Sequence, residues 1–262
     1  MKQKIYQIDA FTTKLFGGNP AAVCILDEWL SNGLMQKIAA ENNLAETAFA
    51  VKKENHYELR WFTPEIEVDL CGHATLATSF VLYNYYGFQE NTLRFISPRS
   101  GELLVQKNDA GLFTMDFPTD DLIPVAEQPD ISKAIGKQPL ETFKGKTDYM
   151  LIYATQSDIE AIHPNFHLLN ELDCRGVIVS SKGNDVDFVS RFFAPQCGIP
   201  EDPVTGSAHT TLAPYWSKKL GKTYLSAKQL SERGGDLHCQ YNGDRVKISG
   251  NAVCYLIGEI TL

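Results

Sequence analysis

The chain has 262 residues, of which 44% are hydrophobic and 21% charged, and its formal net charge is −8. This composition excludes disordered and fibrous classes and suits one large globular domain or two ordinary ones. No Lys/Arg cluster, transmembrane-length apolar stretch or signal-peptide run is present, so we expect no nucleic-acid or membrane partner and a cytoplasmic location.

Strands and one amphipathic helix are predicted for the first part of the chain. Leu34 and Ile38 are one helical turn apart and Ser31 is a suitable N-cap, so the pattern predicts a helix over residues 29–42. The apolar, alternating segments predicted as strands are residues 5–11, 21–26, 47–51 and 57–62.

Residues 73–86 are apolar on nearly all sides, which is typical of a buried helix, and Gly87 is a suitable stop signal. The second half repeats this plan with a helix over residues 207–220, and we expect Pro214 to kink or shorten that helix. The strands predicted for this half are residues 176–179, 186–193, 245–249 and 253–262.

The sequence contains an internal repeat. Arg60–Pro64 recurs 131 residues later as Arg191–Pro195, and Gly72-His73-Ala74 recurs 134 residues later as Gly206-Ser207-Ala208. A duplication of this length predicts two tandem halves of similar fold, with a small-molecule cleft between them.

The fold class predicted from this repeat is α+β, with two pseudo-symmetric domains. Each domain is expected to be a strand-rich, barrel-like sheet around a central buried helix. The expected bounds are residues 1–112 and 113–250, with the last strand, about residues 251–262, returning to the first domain.

Gly72 and Gly206 each open a predicted helix. Such a start exposes backbone N–H groups and the positive end of the helix dipole, and glycine permits a ligand to approach closely. Two such starts could hold a carboxylate. Alternatively, both glycines only allow a tight entry into the helix.

The two halves differ chemically at these helix starts. His73 in the first half corresponds to Ser207 in the second, and Asp202 lies in an insertion just before Pro203. A structural histidine and a turn-forming aspartate would explain these residues. The alternative is that His73 and Asp202 form a pair that orients a substrate or relays a proton.

Glu46 is a single carboxylate at the start of an apolar strand, and its counterpart is near Val177, which does not ionise. It is either a strand-edge residue facing water or a catalytic base. Cys71 is either a small buried residue or a reactive thiolate at a helix start. Its counterpart is Thr205, so the sequence lacks the second thiol of a two-cysteine racemase.

None of the six cysteines forms a CxxC pair, and the histidines add no zinc-type spacing. The sequence therefore predicts free thiols, in keeping with a reducing compartment, and no structural metal site.

Four motifs in order resemble the phenazine-biosynthesis PhzF-like isomerase family over essentially the whole length. These motifs are Gly18–Ala21, Ala45–Thr47, Cys71–Thr75 and Glu201–Ala208. The resemblance implies a diaminopimelate-epimerase-like fold and a homodimeric isomerase that needs neither cofactor nor metal.

In the phenazine enzyme of that family, a glutamate moves a proton between carbons of a cyclic amino acid, dihydro-hydroxyanthranilate. By resemblance, Glu46 matches this glutamate and His73 and Asp202 match further catalytic residues. The residues expected to bind substrate are Gly72, Gly206, Ser207 and Asn19.

The sequence thus predicts proton-shift isomerisation of a small carboxylate-bearing molecule, with Glu46 as the base. One alternative is an amino-acid epimerase or racemase, which needs two opposed acid/base groups. The other is a binding or regulatory module that binds a small carboxylate without turnover.

Overall fold

The computed structural model describes residues 2–262. These residues form two compact units: the chain up to Asp116 together with Ser249–Leu262, and Phe117–Ile248. We call them the first and the second unit. The bounds expected from the sequence are residues 1–112 with 251–262, and 113–250.

The strands, in chain order, are β1 (Lys2–Ala10), β2 (Asn19–Leu26), β3 (Glu46–Lys52), β4 (Tyr57–Phe62), β5 (Glu67–Val68), β6 (Thr92–Ser97), β7 (Gly101–Lys107), β8 (Phe113–Pro118), β9 (Ile123–Val125), β10 (Glu141–Lys144), β11 (Asp148–Ile152), β12 (Gly176–Lys182), β13 (Phe188–Phe193), β14 (Tyr224–Gln229), β15 (Gly235–Tyr241), β16 (Arg245–Gly250) and β17 (Ala252–Thr261). The helices are α1 (Asn32–Asn42), α2 (Gly72–Tyr85), α3 (Pro129–Ile135), α4 (Gln156–Glu160), α5 (Phe166–Asn170) and α6 (Gly206–Leu220), with a 3-10 helix at Pro195–Cys197. Within residues 2–262, none of these helices combines the length and the apolar character needed to cross a membrane.

Helix α1 begins at Asn32, three residues after the predicted start at residue 29, and Ser31 caps it as expected. The Ser31 side chain accepts a hydrogen bond from the Leu34 N–H, and Asn43 ends the helix in a left-handed conformation. Met35 and Ile38 are buried among apolar residues of the neighbouring strands. The cap therefore sets the start of α1, and the buried face holds it on the sheet.

Helix α2 is the central helix of the first unit. It packs against β1, β2, β3 and β17, and Leu76, Val81 and Leu82 are fully buried, whereas Tyr85 in its last turn is exposed. The buried hydroxyls of Thr75, Thr78 and Ser79 donate to main-chain carbonyls one turn earlier, at 2.7–2.9 Å. Because these polar groups are satisfied within the helix, residues 73–79 are buried on all sides.

The order of strand pairing is the same in both units. In the first unit, β1–β2, β3–β4 and β6–β7 pair antiparallel, whereas β2–β3 and β4–β6 pair in parallel. In the second unit, β10–β11, β12–β13 and β14–β15 pair antiparallel, whereas β11–β12 and β13–β14 pair in parallel. Helices α2 and α6 occupy the same place in the two sequences of strands. The predicted α+β class with two similar halves is confirmed.

Strand register also gives the structural counterpart of Glu46. Phe62 of β4 pairs with residue 47, and the equivalent Phe193 of β13 pairs with Val177. Glu46 therefore corresponds to Gly176, one residue before the position assigned from the sequence.

Of the two effects expected of Pro214, a kink or a shortened helix, shortening is not found, because α6 runs without a break from Gly206 to Leu220. Proline cannot donate to the carbonyl of Thr210, four residues earlier. In the structure the Asp120 N–H donates to that carbonyl at 3.4 Å. A donor from another segment thus replaces the missing helical hydrogen bond.

His209 lies in the core next to the start of α6. Its Nδ1 is 2.8 Å from the carbonyl oxygen of Thr205, and its ring lies 5.8 Å from that of Phe188. Burial lowers the pKa of His209 from 6.5 to about 4. The imidazole is therefore neutral at pH 7, with Nδ1–H as the donor to Thr205.

We expect His209 to make the stability of the protein depend on pH. The unfolded chain binds a proton at this histidine below pH 6.5, whereas the folded chain does so only near pH 4. The stabilisation by neutral His209 is therefore complete above pH 6.5 and is lost as the pH falls toward 4. Its maximum is about 3 kcal/mol, since one pKa unit corresponds to about 1.4 kcal/mol.

Urea unfolding of the wild type and of His209→Gln at several pH values between 7 and 4 measures this contribution. The variant should lose part of the decline in unfolding free energy over that range. His238→Gln, at an exposed histidine of the same unit, is the matched control and should keep the wild-type slope. An unchanged slope in His209→Gln would contradict the assignment.

Candidate active site

A buried contact joins the first residue of β3 to the second residue of α2. Oε2 of Glu46 lies 3.1 Å from Nε2 of His73, and the two side chains are only 12% and 7% exposed. Of the two interpretations of Glu46 left open by the sequence, the structure excludes a glutamate facing water. Two rigid elements hold the pair in place.

The carboxylate and imidazole atoms of this contact can still form hydrogen bonds with a ligand. Although they are 3.1 Å apart, Oε2 of Glu46 and Nε2 of His73 make no aligned hydrogen bond to each other or to any other atom of residues 2–262. Their contact is an ion pair, and the hydrogen-bonding capacity of both atoms is unused. Buried polar atoms are normally satisfied, so these two are well suited to bind a polar ligand.

Cys71 extends the contact on the other side of the imidazole. Its Sγ lies 3.5 Å from Nδ1 of His73. Burial, followed by the nearby carboxylate of Glu46, raises the pKa of the Cys71 thiol to about 11. The thiol is therefore protonated at neutral pH, which favours the buried, unreactive interpretation of Cys71 over a reactive thiolate.

The protonation of His73 is set by opposing effects. Burial lowers the pKa of the imidazole, whereas Cys71 and Glu46 raise it, and the net pKa lies well above 6.5. Because the thiol is neutral at pH 7, the carboxylate of Glu46 is the anion that stabilises the imidazolium there.

Glu46, Cys71 and His73 could each offer a metal ligand, and their donor atoms lie within 4.8 Å of one another. Nε2 of His73 contacts the carboxylate and Nδ1 contacts the thiol. Because each ring nitrogen already contacts one of the other two groups, a metal ion would have to displace one of these contacts. The arrangement suits orientation of the carboxylate and proton transfer better.

Asn19 is the first residue of β2 and is fully buried. Ala21, two residues later on the same face of β2, is in register with Glu46 of β3. Asn19 therefore lies at the end of the sheet where Glu46 begins its strand.

The loop that precedes each central helix is held by the same ion pair. Arg60 binds Glu67, and Arg191 binds Glu201, in each case with Nε–Oε1 at 2.7 Å and Nη2–Oε2 at 2.8 Å. Each guanidinium also lies over the ring of the phenylalanine two residues later, at 5.2 and 4.9 Å. These paired hydrogen bonds fix the approach to both helix starts.

Asp202 lies in the loop before α6. Its side chain accepts a hydrogen bond from the Thr205 hydroxyl, and its main-chain N–H donates to Phe192 at 3.0 Å. Buried Gln229 accepts from the Thr205 N–H at 2.9 Å and donates to the Asp202 carbonyl at 2.7 Å. The sequence analysis missed Gln229, which links this loop to β14.

The starts of α2 and α6 share one property. Their N-cap residues, Cys71 and Thr205, make no side-chain hydrogen bond to the first turn. The donors of the first turn, from Gly72 and from Gly206 onward, are therefore not occupied by an N-cap side chain. Around Gly206, the position of a Cβ would be free of contacts within 4 Å.

Ser207, the second residue of α6, is exposed and bonded to an arginine that the sequence analysis also missed. Nη2 of Arg175 donates to its Oγ at 3.1 Å, and Arg175 is also paired with Asp148. In the sequence, the one feature that points to Arg175 is its position immediately before Gly176, the counterpart of Glu46.

Comparison with known proteins supports one assignment. A sequence model of the family described as phenazine biosynthesis-like protein (PhzC-PhzF) matches residues 8–258. The chain belongs to this family.

An uncharacterized isomerase of Pseudomonas aeruginosa is 49% identical over the full length of both chains. The crystal structure of a PhzF-family phenazine biosynthesis protein from Enterococcus faecalis is 48% identical and covers both chains completely, with a TM-score of 0.97. A hydroxyproline epimerase from Agrobacterium vitis, at 9% identity, covers 99% of this chain and 92% of its own with a TM-score of 0.63, which shows a shared fold. The diaminopimelate-epimerase-like fold is confirmed, and the protein is an isomerase.

Replacement of Glu46 should change the protonation of His73. In Glu46→Gln the anion next to Nε2 is lost, so the pKa of His73 should fall. NMR titration of the imidazole nitrogens measures the pKa of His73, and the variant His73→Asn identifies which signal belongs to this residue. Glu58→Gln is the matched control, since Glu58 bonds Trp29 in the same unit. An unchanged or higher pKa in Glu46→Gln would contradict the electrostatic assignment.

Proposed function

We propose that this isomerase moves a proton between carbons of a small carboxylate-bearing substrate, such as a cyclic amino acid, without a cofactor. The observation that carries the proposal is the buried contact between Glu46 and His73. In the proposed step, Glu46 takes a proton from one carbon, the electron pair of that C–H bond shifts through the conjugated system, and the proton returns to another carbon. No net oxidation occurs, so the step needs no redox partner.

His73 has two roles in this proposal. Its positive charge stabilises the nearby Glu46 carboxylate, and its Nε2 proton is available to a polar group of the substrate. Cys71 bonds the other ring nitrogen and thereby limits rotation of the imidazole.

The anionic part of the substrate is assigned to the helix starts. The N–H groups at Gly72 and Gly206 and the hydroxyl of Ser207 would bind the carboxylate and the charge that develops on proton removal. Asp202 and Asn19 would orient polar substituents.

Two features favour a single-base isomerisation over the alternatives. An epimerase needs a second acid/base group, but the counterparts of Glu46 and Cys71 are Gly176 and Thr205, which do not titrate near neutral pH. A binding module without turnover has no need of a desolvated carboxylate and imidazole, since buried ionic pairs add little net stability.

Substitution Glu46→Gln should abolish turnover and leave binding largely intact. Dihydro-hydroxyanthranilate and related cyclic carboxylates would be incubated with enzyme in deuterated water, and deuterium incorporation followed by NMR and mass spectrometry. We expect the rate in Glu46→Gln to fall by about 10²–10⁴, the usual contribution of a positioned base. Glu58→Gln is the control that should retain activity.

Three results would contradict this proposal. Loss of substrate binding with turnover preserved in Glu46→Gln would show that Glu46 is not the base. Deuterium at an α-carbon with inversion would indicate an epimerase, and wild-type binding without any exchange would indicate a binding module.

We also propose the homodimer that the family resemblance implies. Phe16 and Tyr255 are 67% and 47% exposed, and their rings contact each other at 5.6 Å. Leu256 and Ile257, the next residues of β17, are also exposed. A second copy of the chain is the proposed cover, because exposed apolar patches commonly mark interfaces between subunits.

Leu256→Asp should weaken the proposed dimer at least tenfold, since burial of a leucine contributes about 1.5–3 kcal/mol. Sedimentation velocity over a range of concentrations measures the change. Leu104→Asp, at a comparably exposed leucine of β7, is the matched control. A monomeric wild type, or equal dissociation of both variants, would contradict the proposed interface.

A cytoplasmic location is part of the same proposal. Cys24, Cys71, Cys174, Cys197, Cys239 and Cys254 are all free thiols. Free thiols are typical of proteins in a reducing compartment.

A further inference from the structure

The second unit replaces the glutamate of the first by a different group. In the first unit Ala21 is in register with Glu46, and at the equivalent step of the second unit Asp148 is in register with Gly176. The acidic residue of the first unit, Glu46, is on β3, the counterpart of β12, whereas the acidic residue of the second unit, Asp148, is on the neighbouring parallel strand β11. The pseudo-symmetry between the units is broken at this step.

Close packing explains why the acid cannot stand at Gly176. A Cβ at Gly176 would lie 2.5 Å from the ring of Phe192 and 2.8 Å from the carbonyl oxygen of Phe193. Neither the ring, packed on the sheet, nor a main-chain oxygen can move far enough. The second unit therefore cannot present a base at the counterpart of Glu46.

Asp148 is not a substitute base, because a cation occupies it. Its side chain is buried, and Arg175 binds both carboxylate oxygens, with Nε–Oδ1 at 2.9 Å and Nη2 contacting Oδ2. Burial lowers the pKa of Arg175, but the hydrogen bonds and charge of Asp148 outweigh this effect and raise it. Arg175 is thus permanently charged, and Asp148 holds the edge of its guanidinium that carries Nε and Nη2.

The rest of the guanidinium remains available. The Arg175 side chain is 37% exposed, its Cζ lies 5.4 Å from the centroid of the Phe192 ring, and Nη2 donates to Ser207. Nη1 makes no hydrogen bond within residues 2–262. Asp148 and Phe192 fix the plane of the group while Nη1 keeps both of its donors for an external acceptor.

Ser207 is oriented by the same arginine. Its Oγ accepts the hydrogen bond from Arg175, so its own hydroxyl hydrogen must be donated elsewhere. Ser207 is exposed, and no acceptor for that hydrogen is present among the described residues. Arg175, Ser207 and the first turn of α6 together offer donors. Of the two aspartates whose charge acts on Arg175, Asp148 is paired with this arginine and Asp202 accepts a hydrogen bond from Thr205.

We propose that Arg175 binds the carboxylate of the substrate and selects anionic over neutral substrates, with Asp148 as its positioning residue. This inference rests on the proposed function for its substrate class. It adds a permanent charge to the weak attraction of a helix start, which a chain of net charge −8 needs to collect an anion.

Direct binding tests the proposal without any turnover. Benzoate is the probe and benzamide its uncharged counterpart, and calorimetry measures their affinities for the full-length protein. Wild type should bind benzoate in preference to benzamide, and Arg175→Gln should lose about tenfold to a hundredfold of the benzoate affinity, as for loss of a charged hydrogen bond. Arg175→Lys should recover only part of it, because lysine lacks the planar fork.

Controls separate recognition from folding. Arg94→Gln, at an exposed arginine paired with Glu102, should bind benzoate as the wild type does. If Arg175→Gln unfolds because Asp148 is left buried and unpaired, the double variant Arg175→Gln/Asp148→Asn removes that charge and serves in its place. Wild-type benzoate affinity in the folded variant, or no preference for benzoate in the wild type, would overturn the proposal.

Kinetics distinguish this inference from the proposed function. With a compound that exchanges, Arg175→Gln should raise KM and largely retain kcat, whereas Glu46→Gln should lower kcat and retain binding. If no compound exchanges, the proposed isomerisation fails while the benzoate experiment still decides the role of Arg175. A fall in kcat with unchanged KM in Arg175→Gln would contradict a role in carboxylate binding.

Discussion

The contact between Glu46 and His73 is the constraint on which the site depends. It places a carboxylate and an imidazole in the interior, where each loses hydration that only a precise partner can replace. The precision comes from two elements that have little freedom: β3 is buried along most of its length, and α2 is the core of the first unit. A site on such elements keeps its geometry, whereas a site on loops would not. Burial also keeps Cys71 a neutral thiol, whereas the contacts of His73 with Cys71 and Glu46 outweigh burial and raise the pKa of the imidazole.

The duplication provides the same arrangement of strands and helix twice, and the residues proposed to carry the chemistry are those in which the two copies differ. A symmetric pair of bases would give the opposed groups that inversion at a carbon requires. Here the ring of Phe192 excludes any side chain at Gly176, and the acid of the neighbouring strand is neutralised by Arg175. In the proposed mechanism one copy therefore carries the base, and the other carries an anchored cation. The fold is shared with a hydroxyproline epimerase at 9% identity, so the fold alone does not fix the reaction.

Local patterns in the sequence predict much of the fold, and long-range neighbours account for the failures. The Ser31 cap and the all-round apolar α2 follow from local chemistry. The orientation of Glu46 does not, because β3 is apolar on both faces and its alternation carries no signal. Its counterpart was misplaced by one residue because the connection between β12 and β13 (residues 183–187) is one residue longer than that between β3 and β4 (residues 53–56). Two other contacts form only when the chain folds. Asp120 then reaches the Thr210 carbonyl that Pro214 leaves free, and Asp148 reaches Arg175, which is 27 residues away in the sequence.

The loops before the helices show that position and chemistry are controlled separately. Arg60 and Glu67 are seven residues apart and Arg191 and Glu201 are ten apart, yet the two ion pairs have the same distances. The extra residues of the second loop are accommodated between the paired residues, where the chain forms the 3-10 helix at Pro195–Cys197. Each helix therefore starts from an equivalent anchor despite the insertion. It follows that the exchange of His73 for Ser207 changes the group presented at the helix start and not the place at which it is presented.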